Sequence, residues 1–169
     1  MKKFILILSI LFLASPAAFA ELNFVQRVID ANTLQLISGE KVRLTGLNIK
    51  EGKEKQAEEF IRRLVSGMVV DLEYDTQQRD EEGNLLAYIW FEFEVSRNLE
   101  NLALLDKYDV HYVKSKNGED GLYIQLNSTA IKAGYALPDF TSQNIKHKEL
   151  FSQVFEEQRL SADIASVKF

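Results

Sequence analysis

The sequence predicts an α+β fold, in which a five-stranded β-barrel is packed against about three helices. Two observations support this class. Short segments that alternate polar and apolar residues follow one another through the first half of the chain, separated by turn residues. A segment with helical periodicity interrupts this series, and further apolar stripes with helical spacing lie near the C-terminus.

The first three strands are predicted to form a meander. Residues 24–36 contain β-forming residues on both sides of the turn Asp30-Ala31-Asn32, and a second turn follows at residues 38–40. Residues 41–45 then alternate polar and apolar side chains, which is typical of a strand with one buried face.

A helix is predicted over residues 54–65, because Ala57, Phe60, Ile61 and Leu64 recur at i, i+3, i+4 and i+7. Gly67 follows where a helix end favours a residue that tolerates positive φ. Two further strands are predicted over residues 70–74 and 85–91. This order, with a helix after the third of five strands, is that of an OB-like barrel.

In the last third of the chain, the residue pattern predicts helices and one more strand. We expect a short helix at 102–105, a strand over 108–113 and a polar turn over 115–121. A helix over 129–133, with Asn127 or Ser128 as its N-cap, and a longer C-terminal helix follow.

The first twenty residues have the features of a secretory signal peptide. Two lysines precede an apolar run over residues 4–13, and Ala18 to Ala20 reads A-F-A, the form of a cleavage site. A membrane anchor is disfavoured, because the run is shorter than the roughly 20 residues that span a bilayer. We therefore expect residues 1–20 to be a cleaved signal peptide and residues 21–169 to form one domain. The protein would be secreted or periplasmic, without a stable membrane span.

The net charge of the chain bears on which kinds of partner it can bind. The predicted signal holds two of the 20 basic residues and none of the 25 acidic ones, so 18 basic and 25 acidic residues remain and the net charge becomes −7. Proteins that grip a phosphate backbone usually present a basic surface. Nucleic acid is therefore a disfavoured partner, and we expect a monomer that binds an unidentified protein or envelope ligand.

Four segments, in order, match motifs of a known enzyme family. Residues 28–33 read V-I-D-A-N-T, like V-x-D-G-D-T, and residues 43–51 read R-L-T-G-L-N-I-K-E, like R-L-x-G-I-D-x-P-E. Residues 83–89 read G-N-L-L-A-Y-I, like G-R-x-L-A-Y-V, and residues 127–136 resemble V-N-x-x-L-V-x-x-G-x-A. These motifs resemble those of the thermonuclease, or micrococcal-nuclease-like, family. The approximate spacing holds except at residues 96–121, which would be an insertion.

The resemblance implies Ca²⁺-dependent hydrolysis of phosphodiester bonds in DNA and RNA. That chemistry uses two metal-binding aspartates, a glutamate that orients or activates water, and two arginines on the phosphate. Matched position by position, the aspartates are replaced by Asn32 and Asn48, the glutamate is Glu51, the first arginine is Arg43 and the second is replaced by Asn84. Asp30 is a nearby acid and a further candidate metal ligand.

These replacements predict weak metal binding and slow chemistry. Calcium binds oxygen ligands, and its affinity rises with the number of carboxylates, whereas an amide offers one carbonyl oxygen without charge. Asn84 lacks the charged fork of an arginine, which is worth roughly 10³–10⁵ in rate on a phosphoryl transition state. We expect no cofactor, with Ca²⁺ as the ion if the family activity persists.

Three functions therefore stay open. The leading one is an exported thermonuclease-like OB-fold protein with lost or strongly reduced phosphodiesterase activity, acting as a binding or scaffold module. The alternative is an active secreted endonuclease whose rearranged divalent-metal site uses Asp30, Glu51 and Glu54. The third is a nucleic-acid binder without catalysis. Simpler interpretations also stay open, since Asp30 and Asn32 are ordinary turn residues and Arg43 could be solvated or pair with Glu51.

Overall fold

The computed structural model describes residues 22–93, 108–114, 120–144 and 146–167. The predicted signal peptide, the helix predicted over 102–105 and most of the predicted insertion over 96–121 lie outside the described residues.

Nine strands and three helices make up the described part of the chain. In chain order they are β1 Val25–Asp30, β2 Thr33–Leu36, β3 Lys41–Leu44, β4 Leu47–Ile49, α1 Glu54–Val65, β5 Asp71–Glu73, β6 Leu85–Glu92, β7 Val110–Lys114, β8 Asp120–Gln125, α2 Leu126–Lys132, β9 Ala136–Pro138 and α3 Lys148–Val167.

The main sheet has seven strands, and β6 has the most neighbours in it. The strand order is β1-β2-β3-β6-β8-β7, with β5 paired to β6 off this path, while β4 and β9 form a separate two-stranded sheet. Only the β3–β6 pair is parallel among the described strands; the others are antiparallel. The long strand β6 therefore positions the loop before it beside β3.

The α+β class is confirmed, and the arrangement is consistent with an OB-like fold. The strand count differs from the five predicted. The segments just before β1 and β5 meet at one isolated bridge, between Phe24 and Val69, and the Val25 amide donates to the Met68 carbonyl at 2.8 Å. Within the described ranges, no continuous ladder closes these strands into a barrel.

Several predicted boundaries are confirmed and several are wrong. The helix predicted over 54–65 is α1, and Gly67 has a φ of +73°. Strands β4, β8 and β9 were not predicted, and residues 120–121 belong to β8 rather than to a turn. Helix α2 begins at Leu126, and its N-cap position is Gln125, which makes no side-chain cap hydrogen bond.

Asn127, predicted as a helix cap, instead ties α2 to the sheet. Its buried side-chain oxygen accepts a hydrogen bond from the Ile89 amide at 2.9 Å. Its nitrogen donates to the carbonyls of Thr45 at 2.9 Å and Ala87 at 3.2 Å. The Asn127 side chain thus provides hydrogen-bond partners for the Ile89 amide of β6 and the carbonyl of Thr45, the residue after β3, which would otherwise be buried without one.

Helix α3 packs against the same region through its first half. Phe151 and Val154 are buried, and a Cβ at Gly46 would lie 2.8 Å from Phe151 Cε2. Gly46 also has a φ of +77°, so the close approach and the backbone conformation both require glycine. This contact fixes the loop between β3 and β4.

None of the described helices is long and apolar enough to cross a membrane.

Candidate functional site

Two adjoining cavities, of about 170 and 200 Å³, lie on the outer side of β3 and share Asn32 and Arg43 in their walls. We call this combined depression the Arg43 cleft. The first cavity is also lined by Asp30, Glu82 and Asn84, among others. The second is also lined by Asn48, Asp80 and Asp139, among others.

The sheet topology brings these distant segments together. The turn between β1 and β2 carries Asn32, whose carbonyl accepts from the Leu44 amide at 2.9 Å at the end of β3. Arg43 pairs in register with Thr33 of β2 on one side and Leu86 of β6 on the other. The parallel β3–β6 pair therefore places the 80–84 turn, which precedes β6, beside Arg43.

The turn at Asp30 and Asn32 is held by its own side chains. The Asn32 amide donates to Asp30 Oδ1 at 2.7 Å, an Asx-type turn. Asn32 Oδ1 is buried, and no hydrogen-bond donor lies within reach of it in the part of the chain that the structure describes. Asp30 is thus a turn-forming carboxylate at the cleft wall, as its simpler interpretation predicted.

Arg43 pairs with Asp80 and not with Glu51. Its Nη1 lies 3.7 Å from Asp80 Oδ2, and 47% of the Arg43 side chain remains exposed. Asn84, at the second arginine position, donates from Nδ2 to Asp80 Oδ2 at 2.9 Å and to Glu82 Oε2 at 3.3 Å. The same carboxylate therefore engages both positions at which the resemblance would put a phosphate-binding arginine.

Asn48 lines the cleft, but Glu51 does not. Asn48 lies in β4, opposite Leu137 of β9. Glu51 is exposed in the turn before α1 and is not among the residues that line either cavity. Glu54 accepts from the Gly52 amide at 3.1 Å in that same turn. The structure therefore does not gather Asp30, Glu51 and Glu54 into the alternative metal site.

The residues present do not fit a calcium ion. In the described ranges, no three His, Cys, Asp or Glu residues are grouped so that they could hold a metal. The two positions that the resemblance assigns to metal-binding aspartates are amides, and one amide oxygen, Asn32 Oδ1, is buried. Calcium prefers six to eight oxygens with several carboxylates among them.

Sequence reasoning missed Asp80 and Asp139. Asp80 precedes Asn84 by four residues, but none of the matched motifs includes it. Asp139 follows β9, and its amide donates to the Gly46 carbonyl at 2.9 Å, which places it by the cleft. Neither contact has a local sequence signal, since each joins segments that are far apart in the chain.

Two curated proteins are similar to this chain. The thermonuclease of Staphylococcus hyicus is 30% identical over 107 residues, which cover 51% of this chain and 63% of that protein. The thermonuclease of Staphylococcus intermedius is 33% identical over 82 residues, covering 41% of this chain and 49% of that protein. These similarities support a thermonuclease-like family. The chain thus spans between about half and two thirds of the length of these thermonucleases, and no protein-family model matches it.

Proposed function

We propose that this thermonuclease-like protein has lost most or all Ca²⁺-dependent phosphodiesterase activity and acts as a binding or scaffold module. We further propose that residues 1–20 are removed on export, so that the protein works in the periplasm or outside the cell as a monomer. Its partner would be a protein or another envelope component.

The observation that carries the proposal is the chemistry of the Arg43 cleft. Asn32 and Asn48 stand at the two positions where calcium ligands need charge, and the described residues hold no three-membered acid or histidine group nearby. An amide keeps the outline of an aspartate but cannot offset the cost of removing water from a divalent cation.

Two further features support the same conclusion. The arginine expected to face a phosphate at position 84 is an asparagine that binds Asp80 instead. The chain beyond residue 20 is acidic, which disfavours a long polyanionic substrate because nucleic-acid affinity depends on neutralising phosphates.

The test is a plasmid-degradation assay with the purified protein and Ca²⁺, with an Arg43→Ala variant purified in parallel, because Arg43 lines both cavities of the cleft. We expect no cleavage above the level of the variant, and a signal from a contaminating nuclease would appear in both preparations. Turnover comparable to that of a staphylococcal thermonuclease, abolished by Arg43→Ala, would refute the proposal.

A further inference from the structure

Arg43 forms an ion pair with Asp80 in the cleft. The two side chains come within 3.7 Å, and the Asp80 side chain is only 17% exposed, against 47% for Arg43. The guanidinium of Arg43 is therefore accessible to a ligand from solvent, but it is already paired with the Asp80 carboxylate.

The Asp80 carboxylate is held in place by its own turn. Asp80 Oδ1 accepts from the Glu82 amide at 3.0 Å and from the Asn84 amide at 2.9 Å, and Oδ2 accepts from Asn84 Nδ2. Burial acts to raise the pKa of Asp80, but these hydrogen bonds and the charge of Arg43 outweigh it and lower the pKa. The group is thus a fixed anion at neutral pH.

A fixed anion changes which ligands Arg43 can bind. A guanidinium binds phosphate through paired hydrogen bonds, and a carboxylate competes for the same donors. Glu82, Asp30 and Asp139 line the same cleft, whereas Lys41 is the other cationic residue in the walls of the two cavities. A phosphate would have to displace Asp80 from Arg43, and the other acidic residues of the cleft would repel it.

We propose that Asp80 is a specificity-determining residue, a built-in counter-anion of Arg43 that makes the cleft reject phosphate groups. This inference rests on the proposed function, since it explains how a thermonuclease-like cleft would fail to bind phosphate groups. It assigns Asn84 a positioning role, because that side chain holds Asp80 against Arg43.

The experiment titrates the full chain with inorganic phosphate in the presence of a calcium chelator, and follows backbone and Arg43 Nε–Hε shifts by NMR. Asp80→Asn removes the charge and keeps an acceptor for the turn amides. We expect phosphate affinity to rise about three- to fivefold, the range that one partly exposed ion pair supports. Adding Arg43→Ala to Asp80→Asn should abolish the gain.

Glu82→Gln is the matched control, because it removes one charge from the same turn and the same cleft wall but has no contact with Arg43. We expect it to change phosphate affinity by less than about twofold, the effect of a screened charge. Asp80→Ser is a second variant that can still accept the turn hydrogen bonds if Asp80→Asn distorts the turn.

Equal gains from Asp80→Asn and Glu82→Gln would overturn the proposal, because general charge and not a specific pairing would then control the cleft. No gain from either of the two folded Asp80 variants would also overturn it. The titration needs no calcium and no turnover, so its failure is separable from hydrolysis by the unaltered protein, which would refute the proposed function instead.

Discussion

Restoring the three altered positions together, as Asn32→Asp, Asn48→Asp and Asn84→Arg, is expected to raise Ca²⁺-dependent DNA hydrolysis by about a hundredfold or more. The two carboxylates return charge to the metal position, and an arginine at position 84 is worth roughly 10³–10⁵ on a phosphoryl transition state. We set the expectation below that range because Asp80 can pair with the new arginine, and such effects do not simply add. Initial rates on plasmid DNA with and without Ca²⁺ measure it.

The control for this variant is the same triple substitution with Arg43→Ala added, which should return the rate to that of the unaltered protein because Arg43 lines both cavities of the cleft. Asn84→Arg alone should give little activity, because it restores no metal ligand. A folded triple variant that is no more active than the unaltered protein would show that these three positions do not account for the missing activity.

Replacing Asn127 by alanine is expected to lower the free energy of unfolding by about 3 kcal/mol. The substitution leaves the Ile89 amide and the Thr45 carbonyl without their hydrogen-bond partner, while the Ala87 carbonyl keeps its bond from the Thr45 amide. The side chain is fully buried and bonds the Ile89 amide and the carbonyls of Thr45 and Ala87. The end of β3, which borders the Arg43 cleft, would lose its tie to α2. Urea unfolding followed by circular dichroism gives the change.

Asn23→Ala is the matched control, since the Asn23 side chain makes no hydrogen bond to the described residues and only its carbonyl is used, by the Val70 amide. We expect a change of less than about 0.5 kcal/mol there. A cost below about 1 kcal/mol for Asn127→Ala would mean that water satisfies the exposed backbone groups and that the amide is not a structural tie.

Elements with strong local patterns were predictable from the sequence. Helix α1 matches its predicted range because an apolar stripe with helical spacing ends at a glycine with positive φ. Strands β1 to β3 were predicted because turn residues separate short alternating runs. In each case the signal lies within a few residues of the element it specifies.

Elements that depend on distant partners were not predictable. Strand β4 has three residues and pairs with β9, from the far end of the chain, so no local periodicity marks it. Strand β8 begins with Asp120 and Gly121, which are typical of turns, and becomes a strand through its pairs with β6 and β7. Tertiary pairing overrides local preference at both places.

The candidate site was also predictable only in part. Four of the five residues matched by motif, Asn32, Arg43, Asn48 and Asn84, line one cleft together with the nearby acid Asp30. The position of Glu51 outside the cleft lining was not predictable, and neither was the pairing of Arg43 with Asp80. That pairing depends on the parallel β3–β6 register, which no spacing in the sequence reveals.

Calorimetric titration of the unaltered protein with Ca²⁺ tests the central claim most directly, because the account attributes the lost chemistry to two missing charges. We expect heats that correspond to a dissociation constant in the millimolar range or weaker. Asn32→Asp with Asn48→Asp should bind measurably more tightly under the same conditions. A dissociation constant of about 1 μM or below for the unaltered protein, lost in Asn32→Ala or Asn48→Ala, would contradict the account.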